Sequence, residues 1–153
     1  MSRDYYQLNE VEVVYKPIQG LSNRPVISAP DDAFEIFRRN WDEMNIGYKE
    51  EMKMLLLSHS NRILGISNIS SGGMSSCIVD PKIVFTTALK CAASSIIMAH
   101  NHPSGNLNPS EADKTLQNKL IEGGKLLGIS VLDHLIISGI DKKYHSMADG
   151  LDI

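Results

Sequence analysis

The feature that most constrains this chain is a short apolar run, residues 94–99 (SSIIMA), that passes directly into His100, Asn101 and His102 before a Pro/Gly-rich loop begins. Such a run is too brief for a helix and has no polar alternation, so it reads as an interior strand. An interior strand demands helices packed on its sheet, and the flanking sequence offers them. Residues 81–93 (PKIVFTTALKCAA) open on a proline and carry apolar side chains over most of the surface, the pattern of a largely buried helix. Residues 110–128 (SEADKTLQNKLIEGGKLLG) have the leucine spacing of a surface helix closing on Gly128, and residues 129–138 (ISVLDHLIIS) form another strongly apolar strand.

Upstream, Phe34, Phe37 and Trp41 recur at helical spacing behind the acidic turn of SAPDDAFEIFRRNWDEM, giving an amphipathic helix. Residues 49–70 (KEEMKMLLLSHSNRILGISNIS) read as two strands joined by the polar turn HSN, and SSGG marks the break after them. Alternation over residues 9–18 suggests one more strand at the start. The order strand, helix, hairpin, helix, strand, helix, strand describes a mixed α/β domain with helices against one sheet. At 153 residues the chain has room for one such domain with a sizeable core. We divide it into an N-terminal strand-and-turn extension, 1–26, and a domain, 27–153.

Charge excludes some classes of function. With 15 basic and 18 acidic side chains the formal charge is −3, which is no electrostatic footprint for nucleic acid. The tyrosines and the lone tryptophan form no periodic stacking platform either. No segment has the length of a membrane span and the N-terminus does not resemble a secretory signal, so a cytoplasmic protein is expected. Cys77 and Cys91 lie outside any CxxC spacing and read as small apolar residues.

The chemistry concentrates in AHNHPSGNLNPSEAD, residues 99–113. In an extended segment, residues two apart project from one side, so His100 and His102 can share one ion. A helix capped by Asn108, with Pro109 first, would place Ser110 and Asp113 together on its opening turn, where Asp113 can approach the histidines. Two imidazoles and one carboxylate are a donor set for a catalytic zinc ion that leaves a position open. Hydrolysis at such a site needs a base for the attacking water and a donor for the developing oxyanion. Ser110 suits the donor. Alternation along the hairpin puts Glu50 on the face of Met52, Met54 and Leu56, pointing inward as a base should, and Glu51 with Lys53 on the other, solvated face. Ser110 and Asp113 taken alone also fit a helix capping box. Asp133 and His134 fall on opposite sides of their strand, so at most one of them can back the metal ligands. His59 and His145 lie outside the constellation and read as surface residues.

A glutamate, then HxH, seven residues, serine, two residues and aspartate resembles the JAMM (MPN-plus, Jab) metalloprotease pattern. More closely, AHNHPSG, NPSEAD, GKLLGISVLDHLII and the EEMKMLLLSHSNRIL hairpin are similar to the RadC family of bacterial JAMM-domain proteins, over about residues 27–148. The resemblance implies a cytidine-deaminase-like α/β fold, a mixed sheet flanked by helices, and zinc-dependent cleavage of a peptide or isopeptide bond in a peptide or protein substrate. It also implies metal ligation by His100, His102 and Asp113, with Glu50 as general acid/base and Ser110 supporting the tetrahedral intermediate. Two departures stand out. The family's N-terminal helix-hairpin-helix segment is replaced by the strand-like start, which weakens a DNA-repair inference, and Asp80, Pro81 and Lys82 stand where the family often reads PRE. The competing readings are a non-enzymatic adaptor in DNA transactions and a zinc hydrolase acting on nucleic acid. A structural zinc would normally be closed by four protein ligands, and the PCxxC of the zinc deaminases is absent.

Overall fold

The apolar run becomes the middle strand of a five-stranded sheet. The computed structural model describes residues 23–72 and 78–152, together with Val11, Glu12, Val14 and Lys16. The strand expected over residues 9–18, and Cys77, fall largely or wholly outside these. Among the described residues the elements are α1 (Pro30–Arg39), β1 (Glu51–Leu57), β2 (Ile63–Ser71), α2 (Pro81–Lys90), β3 (Ser95–His102), α3 (Glu111–Leu127), β4 (Ser130–Ser138) and β5 (Tyr144–Ser146). The sheet order is β2-β1-β3-β4-β5. β1 runs antiparallel to both β2 and β3, β3 and β4 are parallel, and β5 returns antiparallel to β4. This is a mixed sheet flanked by helices, as expected. The short β5 carries too little pattern to be read from sequence.

Each local choice has a visible cause. Pro30 occupies the first turn of α1, where the Asp32 carboxylate accepts from the Ser28 and Ala29 N–H groups, and Arg38 and Arg39 sit in its last turn. Asp80 caps α2 by accepting from Lys82 N. The helix expected to run to residue 44 ends at Arg39, yet Trp41 still enters the same core, 4% exposed. The hairpin turns through Asn61, whose positive φ of 57° an asparagine tolerates well.

Period-two alternation sorts the strands onto two cores. Leu55, Leu57, Ile97, Ala99, Leu135 and Ile137 face α1, whose Phe34 and Phe37 pack on them with Trp41. Met52, Met54, Leu56, Ile96 and Met98 face the opposite way, against Val84, Phe85 and Ala88 of α2 and Leu120 of α3. Both faces of β1 are therefore covered, which corrects the expectation that Glu51 and Lys53 are solvated. Lys53 is buried, with Nζ 2.5 Å from Asn68 Oδ1 and 5.0 Å from the centre of the Trp41 ring. Glu51 is half-buried, and its Oε1 is fully enclosed with no hydrogen-bond partner among the described residues. The segment after α1 is the physical reason: Trp41 lies over Lys53, and the Ile46 and Lys49 carbonyls are tied to Asn101, the partner of Glu51 N, on the face that a bare hairpin would leave wet. On the far side of that core, Tyr144 of β5 stacks on Phe34 at 4.6 Å and donates its hydroxyl to Asp31. No helix among the described residues is long and apolar enough to cross a membrane.

Candidate metal centre

β3 carries its two histidines to the end of the α2/α3 face, because they continue the series Ile96 and Met98 at period two. His100 is 2% exposed, and its Nε2 lies 2.9 Å from His102 Nε2. The chain then turns sharply at Gly105, whose φ of +81° and whose contact with Ile140 leave no room for a side chain. The turn is closed by the Gly105 N–H on the His102 carbonyl at 2.9 Å, and it brings the start of α3 back over the histidines.

The N-cap of α3 is Ser110, with Glu111 as first helical residue, which corrects the start expected at Asn108 and Pro109. A reciprocal capping box fixes it there: Asp113 N donates to Ser110 Oγ at 3.1 Å and Ser110 N donates to Asp113 Oδ2 at 2.8 Å. The box has a second effect. It holds the Asp113 carboxylate in one orientation, with Oδ1 3.3 Å from His100 Nε2 and Oδ2 3.7 Å from His102 Nε2. Capping and site-building are thus one arrangement.

His100, His102 and Asp113 could together hold a metal ion, since one ligand atom from each falls within 4.8 Å of the others. The donor chemistry fits. The His102 Nδ1 is engaged by the Asn106 carbonyl at 2.5 Å, which can only accept, so a neutral His102 presents a bare Nε2 to the cluster. The edge of a tetrahedron built on metal–ligand bonds of about 2.0–2.1 Å is about 3.3 Å, which the spacings of 2.9, 3.3 and 3.7 Å bracket. Electrostatics agree. Burial works against ionisation of Asp113, but the two imidazoles and the Ser110 N–H hold its carboxyl far below the usual carboxylate range. Burial likewise opposes charge on His102, yet Asp113, the Asn106 carbonyl and the more distant Glu50 outweigh it and raise its pKa.

Glu50 immediately precedes β1, and Met52, two residues on, pairs with His100. Glu50 lies one residue outside the strand, near enough to His102 for its charge to be felt there. Two further residues support the site and escaped sequence reasoning. Asn101 points to the α1 face, where its Nδ2 donates to the Ile46 and Lys49 carbonyls at 2.6 and 2.9 Å and its Oδ1 accepts from Glu51 N at 2.7 Å. It therefore grips the backbone on both sides of Glu50. The signal was there: an asparagine between two ligands on a strand must face the other core, where every polar group needs a partner. Gln117 is the other, a polar residue in the buried stripe of α3 with Leu120 and Gly124.

His134 touches the site and Asp133 does not. His134 Nε2 lies 2.6 Å from His100 Nδ1, and His134 Nδ1 lies 3.0 Å from Gln117 Oε1. Burial, followed by the neighbouring His100, keeps His134 well below the ordinary imidazole range, so this ring is neutral. Asp133 accepts instead from Ser146 Oγ at 2.6 Å and from Ala148 N at 3.0 Å, on the opposite face. His59 is exposed, as expected; His145 is half-buried and lies 2.6 Å from Asp152.

The Asn101 clamp yields a stability prediction. Asn101→Leu removes three hydrogen bonds and strands two carbonyls and one N–H, each costing about 1–3 kcal/mol when left buried. Urea unfolding is expected to show a loss of about 3 kcal/mol or more. A variant within about 0.5 kcal/mol of the parent, the spread of ordinary surface substitutions, would remove Asn101 from this role.

A mixed sheet between helices, with two histidines at the end of its middle strand and an aspartate on the next helix, defines the JAB/MPN class of α/β domain. Comparison with known proteins agrees: the model of the RadC-like JAB domain matches residues 27–151. The chain belongs to that family. It is 44% identical over 127 residues to a UPF0758 protein of Alkaliphilus oremlandii, covering 83% of this chain and 53% of the relative. A UPF0758 protein of Methanosarcina mazei is 42% identical over 123 residues, covering 80% of this chain and 52% of its own. One from Flavobacterium johnsoniae is 40% identical over 123 residues, with the same coverage. The chain thus spans about half the length of the relatives it matches.

Proposed function

We propose that this domain is a zinc-dependent hydrolase of the JAMM type, cleaving a peptide or isopeptide bond in a peptide or protein substrate. The observation that supports it most is the convergence of His100 Nε2, His102 Nε2 and an Asp113 carboxylate held ionised, with a further carboxylate, Glu50, near enough for its charge to act on His102. His100, His102 and Asp113 would hold the ion. When bound, zinc supplies Lewis acidity, polarising a carbonyl oxygen and making water a stronger acid.

The remaining work falls to the chain's own side chains. The Glu50 carboxylate accepts the proton of the attacking water and returns it to the leaving nitrogen. The Ser110 hydroxyl accepts from Asp113 N and keeps its own proton to donate to the developing oxyanion. Asp113 is held by the Ser110 N–H so that its charge stays directed at the histidines. Elemental analysis of the purified protein, followed by cleavage assays on peptide, isopeptide-linked and DNA substrates, tests the reading. About one zinc per chain and amide cleavage are expected. Absence of stoichiometric zinc, or cleavage confined to DNA, would overturn it.

The raised pKa of His102 sets a pH dependence. The metal-free protein keeps a proton on His102 to a higher pH than an ordinary histidine would, and a metal at Nε2 must displace it. Zinc affinity is therefore expected to rise with pH through that pKa and to fall as the pH drops below it, with a proton released on binding at pH values below it. Calorimetric titration in two buffers of different ionisation enthalpy measures this directly. Buffer-independent heats would contradict the shift.

A further inference from the structure

The two histidines of the cluster are held in different ways. His102 Nδ1 faces a backbone carbonyl, which accepts and never donates, so its tautomer is settled on the spot. His100 Nδ1 faces another imidazole nitrogen, His134 Nε2, at 2.6 Å. That neighbour can donate or accept, so by itself it settles nothing. The next contact decides. His134 Nδ1 lies 3.0 Å from Gln117 Oε1, an oxygen that only accepts, so His134 carries its proton on Nδ1 and a lone pair on Nε2. His100 must then donate from Nδ1, which leaves its Nε2 bare and directed at His102 and Asp113.

We infer that His134 and Gln117 are positioning residues that set the tautomer of His100, and hence decide whether the cluster can accept a metal ion. The inference rests on the metal-site reading given above. Three buried groups on three elements, β3, β4 and α3, are aligned for it: His100 is 2% exposed, and His134 and Gln117 are fully buried. Gln117 bears the cost of the arrangement. Its Nε2 is enclosed with no hydrogen-bond partner among the described residues, although turning the amide over would present that donor to His134. The turned amide would reverse the relay: Gln117 would donate to His134 Nδ1, His134 would donate from Nε2 to His100 Nδ1, and the His100 proton would sit on Nε2, where it blocks a metal. One amide rotation therefore separates a metal-competent pair of imidazoles from an incompetent one. The orphaned donor is a cost accepted so that an oxygen faces the ring, and outer partners of metal-binding histidines are known to matter on this scale.

The test uses the intact chain and zinc alone. Competition against a chromogenic chelator should show zinc affinity reduced by about 10–100-fold in Gln117→Met, which keeps the volume and removes the acceptor, and similarly in His134→Phe. Gln117→Glu, whose carboxylate is a stronger acceptor at the same place, should bind at least as tightly as the parent. In the zinc-free protein, nitrogen NMR of the imidazoles should find the His134 proton on Nδ1 in the parent and redistributed between the two nitrogens in Gln117→Met. A change of packing alone would not move that signature. If the parent itself takes up no zinc, the metal-site reading fails and this inference with it. If the parent binds zinc while folded Gln117→Met binds it equally well, or Gln117→Glu is weakened as much as Gln117→Met, the site stands and the tautomer relay is wrong. Should His134→Phe not fold, the Gln117 pair and the NMR assignment decide.

Discussion

Glu50→Gln is expected to keep the fold and the zinc while losing about 10²–10⁴-fold in hydrolytic rate, the usual contribution of a positioned general base. Glutamine nearly matches glutamate in shape and still accepts and donates hydrogen bonds, but it takes no proton from water at neutral pH. The backbone around Glu50 is held by Asn101 and by Gly72, whose N–H donates to the Glu50 carbonyl at 2.9 Å, so the change is confined to the side chain's head. The neighbouring Glu51 is a poor control, because its enclosed Oε1 means that altering it disturbs packing. Glu122→Gln serves better: it is 72% exposed in α3 and removes the same charge. Zinc content and amide-cleavage rate are measured side by side. Loss of zinc in Glu50→Gln would make the residue a ligand, and a rate equal to that of Glu122→Gln would leave the hydrolase without its base.

His102→Ala is expected to abolish stoichiometric zinc while leaving circular dichroism essentially unchanged. His102 is half-buried at the end of β3, so truncating it removes a ligand with little loss of core. The two apolar clusters, including fully buried Phe37, Met54, Leu120 and Leu135, contain none of the three candidate ligands and stabilise the domain in their own right. Chelating the parent should therefore strip the metal and preserve the secondary structure, unlike a small zinc-stapled fold. Elemental analysis that finds equal zinc in parent and variant would sink the ligand assignment. Cooperative unfolding on chelation would show that the metal carries the fold.

Much of this arrangement is legible in the sequence because its periodicities are local. The run over residues 94–99 and the leucines of α3 identify their elements unaided, and HxH with a downstream serine and aspartate announces the cluster. Pattern fails where a decision depends on a distant element. Whether Glu51 is wet depends on the segment after α1, tied to its neighbour Asn101 through the Ile46 and Lys49 carbonyls, which no feature of the hairpin encodes. Whether Asp133 or His134 backs the site depends on the bulge in the β3–β4 pairing, where Ile96 pairs with Val131 and Ile97 with Asp133. Asn108 and Pro109 are themselves good opening signals for α3, yet the reciprocal bonds of Ser110 and Asp113 prevail over them and set its start.

Asn101 separates the two histidines and faces the other core, so three successive residues of β3 serve opposite sides of the sheet. Slipped by a single residue, the strand would offer an amide to the cluster and drive both imidazoles into the apolar layer under α1. The centre therefore has no partly assembled version. Zinc uptake during refolding would act as a register gauge, reporting the moment at which β3 has locked correctly between its antiparallel neighbour β1 and its parallel neighbour β4.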